Sequence, residues 1–461
     1  MTFISNKLNK NCVYEKSNIL DVLNVFESTG INLALVINKN KEFVGVISSS
    51  DIRRGLIRGL DKSSKIKKII NYSPLYLKDE IDENQLSNLI SSPKFNEINP
   101  PYIPILDKRN KPRGVIDKQN LNLRFLKRKK KLQVKPRILL LGGAGYIGTS
   151  LAENLLKLKY EVTIFDKFVY LPKKKLNDKL KYKNLKLIQG DTRDIEKTFE
   201  VLKNKDIVVH LAELVGDPLC EKRPSKTYST NYLASLGISK ICSDLGISKF
   251  IYISSCSVYG SRIDEKLSDE NSPINPLSVY AKLKALCEKT IIKNSGDFCR
   301  PCILRLGTVF GSSLRPRFDL VLNTFAGQIA NKKEINIYGG DQWRPFVHVQ
   351  DVCEVIVKII KLDRKITNGQ IFNIASFNHT LSEVGKKISK IFPKVKINFL
   401  LSNLDKRNYR VSTKKAKTIL RFKPKYNLEK GIKDLVKFTL ENKIKNIKNK
   451  KFLNILNAEK F

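Results

Sequence analysis

Short apolar runs alternate with stretches of helical periodicity between about residues 136 and 440. The runs predict six β-strands, at 138–141, 161–165, 185–191, 206–212, 250–255 and 302–306. Stretches between them, such as 149–158 and 232–245, predict helices. Strands that alternate with helices are typical of an α/β fold with a doubly wound parallel sheet, in which ligands bind at the carboxyl ends of the strands.

A glycine-rich turn joins the strand 138–141 to the helix that follows it. Glycine lacks a Cβ where backbone must approach a pyrophosphate, and a helix N-terminus offers free N–H groups to an anion. The next strand ends at Asp166, a carboxylate that would accept from a ribose 2′-OH and repel a 2′-phosphate, which favours NAD over NADP. An ordinary strand–turn–helix unit without a ligand is the alternative. The dinucleotide-binding residues predicted in the turn are Gly142, Gly145, Tyr146, Ile147 and Gly148.

Two similar halves precede residue 126. Each contains an apolar strand, a polar turn and a second strand with an internal glycine, at 30–47 and at 101–116. Helical stretches precede the two hairpins, at 19–26 and at 83–90. A repeat of this kind predicts two equivalent α+β units.

Tyr280 and Lys284 follow the fifth predicted strand, which ends at Ser255. Residues four apart share one helix face, and a lysine ammonium there would lower the pKa of a tyrosine from about 10. Such a tyrosine can accept a proton from a sugar hydroxyl, and Ser255 would hydrogen-bond the same oxygen. We therefore predict that Ser255, Tyr280 and Lys284 are catalytic; a surface tyrosine–lysine pair is the alternative.

The chain is strongly basic, with 86 Lys and Arg against 44 Asp and Glu in 461 residues. The lysines are spread along the whole sequence, with clusters at 127–131 and 443–451. We expect no specific nucleic-acid partner, because no recognised nucleic-acid module accompanies the charge. We also expect no membrane partner and a soluble, cytoplasmic protein, because the sequence has neither an apolar run of about 18 residues nor a signal peptide.

The eight cysteines indicate reduced thiols rather than a metal or disulfide site. Cys299 and Cys302 form the one close pair in the sequence, and no second pair or histidine set accompanies them. We therefore predict no metal.

The chemistry-bearing residues of 136–440 resemble the extended short-chain dehydrogenase/reductase superfamily, in its nucleotide-sugar epimerase/dehydratase branch. The resemblance implies a Rossmann sheet with a smaller C-terminal substrate-binding part, NAD as the cofactor and a nucleotide-diphosphate sugar as the substrate. It adds cofactor contacts at Asp191, Leu211, Ala212 and Asn231, beside Tyr280 and Lys284. It places substrate contacts at Glu213, Cys256, Asn323, Arg344 and Arg407, with Arg410 as an alternative to Arg407 and a surface-facing side chain as the alternative for Glu213.

One departure from the family pattern narrows the activity. Hexose 4,6-dehydratases of this branch carry Asp and Glu just after the catalytic hydroxyl, where this chain has Cys256 and Ser257. Neither residue is a good general acid or base for removing water, so the resemblance favours a 4-epimerase that keeps NAD bound. The alternatives are an NAD(P)-dependent reductase or dehydrogenase of a keto sugar nucleotide, and a non-catalytic nucleotide sensor.

The N-terminal repeat resembles a tandem pair of CBS motifs, a regulatory module that often binds adenine nucleotides. Ser48 and Asp51 match the nucleotide-binding pair of that family, whereas the second repeat has Asp117 and Asn120 there. An acid would face phosphate unfavourably, so we expect a single adenine-nucleotide site or a pair used for dimerisation. The predicted organisation is a CBS pair at 1–125, a basic linker at 126–135, a catalytic domain at 136–445 and a basic tail at 446–461, in a homodimer.

Overall fold

The computed structural model describes residues 11–78, 95, 101–117, 135–261, 266–295, 299–400 and 407–455. The chain divides into two compact units, Met1–Val134 and Lys135–Phe461. The predicted helix 83–90, Asn120 and the linker up to residue 134 lie outside the described residues. Within the described ranges, no helix is long and apolar enough to cross a membrane.

The first unit contains two three-stranded sheets of the same topology. In each sheet the first strand pairs parallel with the second, and the second pairs antiparallel with the third. Both hairpins have a register irregularity near the turn, between Val36 and Ile37 and between Ile105 and Leu106. The two sheets thus repeat one another, as the sequence repeat predicts. Their strands are β1 (Cys12–Tyr14), β2 (Leu33–Ile37) and β3 (Phe43–Ser48), then β4 (Leu77–Lys78), β5 (Tyr102–Leu106) and β6 (Pro112–Asp117).

Two helices flank the first of these sheets, α1 (Ile19–Thr29) and α2 (Ser49–Ile57). Helix α1 begins after Asn18, whose side chain accepts from the backbone N–H of Asp21 at 3.0 Å, and it ends at Gly30 with φ +67°. A left-handed C-cap favours glycine because a Cβ would be strained there.

Seven parallel strands form the central sheet of the second unit. Their order across the sheet is β16-β12-β11-β10-β7-β8-β9. The six predicted strands are present, and the edge strand β16 is an addition that the sequence pattern did not reveal, because it has four residues and includes the polar Asn373. The strands are β7 (Arg137–Leu141), β8 (Glu161–Asp166), β9 (Leu185–Gln189), β10 (Ile207–His210), β11 (Lys249–Ser255), β12 (Cys302–Leu306) and β16 (Ile371–Ile374).

Helices cover both faces of this sheet and bury its apolar side chains. One face packs against the helices that contain Leu155 and Ile356, and the other packs against the helices that contain Ile238 and Ile291. The helices of this part are α3 (Tyr146–Lys157), α4 (Lys173–Lys179), α5 (Ile195–Leu202), α6 (Asp217–Lys222), α7 (Pro224–Thr227), α8 (Ala234–Asp244) and α9 (Val279–Asn294). The π-helical turn Tyr228–Leu233 leads into α8, and the 3₁₀ turn Cys256–Tyr259 follows β11.

A smaller part of the second unit is built on two short sheets, β13-β15-β17 and β14-β18. Phe310, Phe325 and Phe346 lie in its own apolar core. The strands are β13 (Thr308–Phe310), β14 (Ile335–Tyr338), β15 (Trp343–His348), β17 (Phe377–Thr380) and β18 (Ile397–Leu400). The helices are α10 (Val321–Ala330), α11 (Val349–Lys361), α12 (Arg364–Thr367), α13 (Leu381–Ile391), α14 (Lys414–Ile419) and α15 (Leu428–Glu441).

The residues after 445 pack on this unit, whereas the sequence analysis treats them as a basic tail. Ile447 and Phe452 are buried against Phe318, and Asn454 is 5% exposed. The lysines of this segment are exposed, whereas Ile447 and Phe452 are buried, so the charge pattern concealed a segment that packs on the unit.

Candidate active site

A cleft of about 320 Å³ lies at the carboxyl ends of strands of the central sheet. Such an edge is where parallel α/β sheets bind their ligands. Most of the predicted site residues line this cleft. They are Gly142, Gly145, Tyr146, Ile147, Gly148, Asp166, Asp191, Leu211, Ala212, Glu213, Ser255, Tyr280, Lys284 and Arg407.

The glycine turn forms one wall of the cleft. Gly142 has φ +76°, and a Cβ there would lie 2.6 Å from the Cα of Ala212, so glycine is required both by conformation and by space. Gly145 is the N-cap of α3, and no side chain caps the N–H groups of the first turn. Uncapped N–H groups at the start of α3, facing a cleft, are suited to a dinucleotide pyrophosphate.

Two carboxylates stand at the ends of β8 and β9. Asp166 accepts from the backbone N–H groups of Ala144 at 3.0 Å and Phe168 at 2.7 Å, and desolvation raises its pKa despite these bonds. Asp191 is also partly desolvated, but its hydrogen bonds to Arg193 and its ion pair with Lys167 at 3.2 Å hold its pKa well below the usual range. Both acids border the space into which the helix N-terminus opens.

The pKa of Tyr280 is raised in this structure, whereas the sequence analysis expects Lys284 to lower it. The Lys284 ammonium forms an ion pair with Glu213, and both side chains are 4% exposed. Its Nζ lies 5.7 Å from the centre of the Tyr280 ring and 4.6 Å from that of Tyr252. Desolvation, followed by the Glu213 carboxylate, raises the pKa of Tyr280 well above 10.

Glu213 is therefore part of the site, and the surface-facing alternative is wrong. Its carboxylate also accepts from the Tyr252 hydroxyl at 2.8 Å. Desolvation raises its pKa, against the effect of Lys284. The sequence places Glu213 just after a strand, but nothing in the sequence pairs it with a residue 71 positions later.

Ser255 ends β11 at the cleft wall. Its hydroxyl oxygen accepts from the backbone N–H of Ser257 at 3.1 Å and lies 2.9 Å from the hydroxyl of Ser257. Ser255 thus caps the 3₁₀ turn that follows β11, and Ser255 and Ser257 line the same cleft as Tyr280.

Four predicted contact residues do not line the cleft. The side-chain amide of Asn231 accepts from the backbone N–H of Leu214 and donates to the C=O of Leu214, both at 2.8 Å. The Cys256 thiol is fully buried behind the wall and donates to the carbonyl of Arg305.

The other two hold loops in place. Asn323 donates to the Tyr146 hydroxyl at 3.1 Å and to the carbonyl of Arg317 at 2.8 Å. The Arg344 guanidinium is 6% exposed and donates to the carbonyls of Trp343 and Arg407. These four side chains therefore position the cleft wall, and Arg410, which stacks on Trp343 at 4.6 Å, is outside the cleft as well.

Four arginines line the cleft, and one of them, Arg193, is paired with Asp191. Arg407 was predicted and forms an ion pair with Asp217 at 2.8 Å. Arg315 and Arg317 were not predicted. Arg317 makes a two-fold contact with Asp319 at 2.9 Å, and Arg315 stacks 4.0 Å from the centre of the Tyr170 ring.

In the first unit, the predicted nucleotide pair serves as a helix cap. The Ser48 hydroxyl donates to the Asp51 carboxylate at 2.6 Å, and the Asp51 N–H donates to the Ser48 oxygen at 3.3 Å. This capping box fixes the start of α2.

The uncapped glycine turn, the two acids and the Tyr280–Lys284 helix together define an enzyme of the Rossmann type that uses a dinucleotide. The sequence model of the NAD dependent epimerase/dehydratase family matches residues 138–375, and the chain belongs to this family, within the extended short-chain dehydrogenases/reductases. Its cofactor is NAD. A CBS domain model matches residues 9–58, which is the first predicted repeat; the second repeat stays a prediction.

Relatives with different activities are similar to this chain. The UDP-glucose 4-epimerase of Lactobacillus helveticus is 26% identical over 63% of this chain and 92% of its own length. The mouse dTDP-D-glucose 4,6-dehydratase is 28% identical over 70% of this chain and 92% of its own length. The crystal structure of UDP-glucuronic acid 4-epimerase from Bacillus cereus, in complex with UDP-glucuronic acid and NAD, is 25% identical, with a TM-score of 0.59 over 66% of this chain and 99% of the other.

Proposed function

We propose that the protein is a nucleotide-diphosphate-sugar 4-epimerase that keeps NAD bound through the reaction. The observation that carries this proposal is the wall that follows Ser255. Cys256 is buried there with a raised pKa, and Ser257 presents a hydroxyl to the cleft. A dehydratase needs an acid and a base at these positions, whereas an epimerase needs neither.

The residues of the chain divide the work of such a reaction. NAD, when bound, supplies reversible hydride acceptance. Tyr280 is the base that takes a proton from the sugar hydroxyl, since its partly exposed phenol lines the same cleft as Ser255. Ser255 orients that hydroxyl, and Lys284 with Glu213 sets the charge around the phenol.

We expect cationic side chains of the cleft to bind the diphosphate of the substrate. Arg317 and Arg407 line the cleft with guanidinium groups, which suit the geometry of a diphosphate. A UDP-sugar is the first candidate, because the Bacillus cereus structure binds UDP-glucuronic acid.

We also infer a homodimer and a regulatory first unit that senses an adenine nucleotide near Ser48 and Asp51.

The test is conversion of UDP-glucose to UDP-galactose by the purified protein without added cofactor. Retained NAD and conversion at equilibrium support the proposal. The Tyr280→Phe variant should lose roughly 10²–10⁴-fold in turnover, and Tyr228→Phe, a change on an exposed tyrosine, should not. Stoichiometric use of NADH would indicate a reductase, and a 4-keto-6-deoxy product would indicate a dehydratase. NAD binding without turnover of any tested sugar nucleotide would favour a sensor.

A further inference from the structure

The segment 449–455, which we call the C-terminal strap, reaches the active-site cleft. It contains the 3₁₀ helix Lys450–Phe452, and the Phe452 ring packs edge-on against Phe318 with 5.3 Å between ring centres. The carbonyl of Phe452 accepts from the backbone N–H of Phe318 at 3.2 Å. The strap is therefore anchored by burial of an aromatic side chain, and it delivers Asn454 to the cleft.

Asn454 joins two loops that form the cleft wall. Its amide oxygen accepts from Arg315 at 2.5 Å, and its amide nitrogen donates to the carbonyl of Val215 at 2.9 Å. Its backbone N–H donates to the Asp319 carboxylate at 3.3 Å. One 5%-exposed side chain thus bridges the loop after β10 and the loop after β13.

Arg315 is a buried cation that forms no direct ion pair among the residues that the structure describes, although the charge of Asp319 acts on it. It is 3% exposed, its Nε has no hydrogen-bond partner, and burial lowers its pKa to about 10. Arg317 beside it is neutralised by Asp319. A buried charge without a direct ion-pair partner is costly, so the guanidinium of Arg315 is suited to an anion that enters the cleft.

We propose that Asn454 is a positioning residue that holds Arg315 for a diphosphate oxygen of a bound ligand. The strap would then be part of the binding site rather than a tail. The identity of the diphosphate rests on the proposed function: it belongs either to NAD or to the nucleotide sugar, and both carry the same chemistry.

Binding measurements on the full chain test this role without relying on turnover. UDP is titrated into the NAD-containing protein by calorimetry, and loss of bound NAD is followed after dilution. Asn454→Ala should weaken UDP binding or speed NAD loss by about tenfold, as expected for one bond to a charged group. The probe that responds identifies the diphosphate. Asn177→Ala, a change at an exposed asparagine of α4 outside the strap and the cleft, should change neither.

A cycle with Arg315→Ala separates positioning from general support of the fold. In the Arg315→Ala background, Asn454→Ala should have no further effect on binding, whereas a purely structural role would add its full effect again. Thermal unfolding of each variant confirms that it is folded. Unchanged UDP affinity and NAD retention in Asn454→Ala would overturn the role proposed for Asn454 and leave the proposed function intact. Additive effects of Asn454→Ala and Arg315→Ala in the cycle would do the same. If the wild type binds neither NAD nor UDP, the proposed function fails with it.

Discussion

Two buried ion pairs lie one turn apart on helix α9. Lys284 pairs with Glu213, and Glu288 pairs with Arg305. All four side chains are between 4% and 5% exposed, so the pairs are alike in chemistry and burial. They differ in what else each group contacts, and that difference separates a pair that supports the fold from one that belongs to the site.

The Glu288–Arg305 pair is saturated with hydrogen bonds. Arg305 donates to both carboxylate oxygens of Glu288 and to the Tyr259 hydroxyl at 2.8 Å. Glu288 also accepts from the hydroxyl of Ser254 at 2.5 Å. Neither charged residue lines the cleft, so this pair fixes β12 against α9 from behind.

The Glu213–Lys284 pair forms part of the cleft wall. Lys284 also donates to the carbonyl of Ile253, and its contact with the Tyr252 hydroxyl is long, at 3.4 Å. The pair lies beside Tyr280, and Glu213 raises the pKa of that tyrosine. Two pairs of equal burial therefore serve different purposes, and the lesson is that bonding partners and access to the cleft reveal the purpose, whereas burial does not.

The largest effect on stability should come from breaking the saturated pair. Glu288→Ala leaves the Arg305 charge buried and unpaired, which should lower the free energy of unfolding by about 3–5 kcal/mol. Chemical denaturation measures this loss. Glu429→Ala, which breaks an exposed pair with Lys433, should cost far less. An equal effect of the two changes would contradict the assignment.

Removal of Lys284 should act mainly on turnover. Lys284→Met keeps most of the side-chain volume, and Glu213 can take up a proton when its partner is gone, so the stability cost should be smaller than that of Glu288→Ala. We expect turnover to fall by roughly 10²-fold, the lower end for a group that supports proton transfer. Steady-state rates and unfolding curves of the same variant check both parts. If Lys284→Met is strongly destabilised but keeps its turnover rate when folded, the Glu213–Lys284 pair supports the fold in the same way as the Glu288–Arg305 pair.

Glu213→Gln sharpens the role of the carboxylate. The negative charge of Glu213 raises the pKa of Tyr280, so its removal should lower that pKa and move the alkaline rise of turnover to lower pH. Other ionisable groups that act on Tyr280 include Cys220, Asp217 and Arg317, and they are unchanged in the variant. A pH–rate profile of wild type and variant measures the shift, and superimposable profiles would remove Glu213 from the mechanism.

The smallest effect concerns His210, which ends β10 close to Lys284. Burial, and then Lys284, lower the pKa of His210 to about 3. Because the unfolded pKa is higher, near 6.5, the unfolded state binds the proton first and stability is lost as pH falls from 6.5 toward 3. In His210→Asn, the free energy of unfolding should fall less steeply on acidification, by about 1 kcal/mol per pH unit. Chemical denaturation at pH 7 and 5.5 measures this difference, and an unchanged dependence of stability on pH would contradict the prediction. Burial also lowers the pKa of His348, so part of the acid loss of stability should remain in the variant.

Local pattern was enough to predict the strands, the glycine turn and the acids that follow strands. These features depend on residues that are close in sequence. Arg344, Asn323 and Cys256 lie in the predicted segments, but their side chains point away from the cleft, and side-chain direction depends on packing by distant elements. The role of Glu213 depends on Lys284, and the role of Arg315 depends on Asn454, 139 positions away. Contacts of that range leave no periodic signal in one sequence.

Helix α9 has a consequence for which length changes the chain can accept. Tyr280, Lys284 and Glu288 stand four residues apart on one face, so the site and the support behind it share a single helical phase. One residue inserted or deleted between them would rotate the later side chains by about 100° and remove both at once. Insertions should therefore be tolerated around the start and end of α9 far better than within it, and a library of single-residue insertions would show a gap between positions 280 and 288.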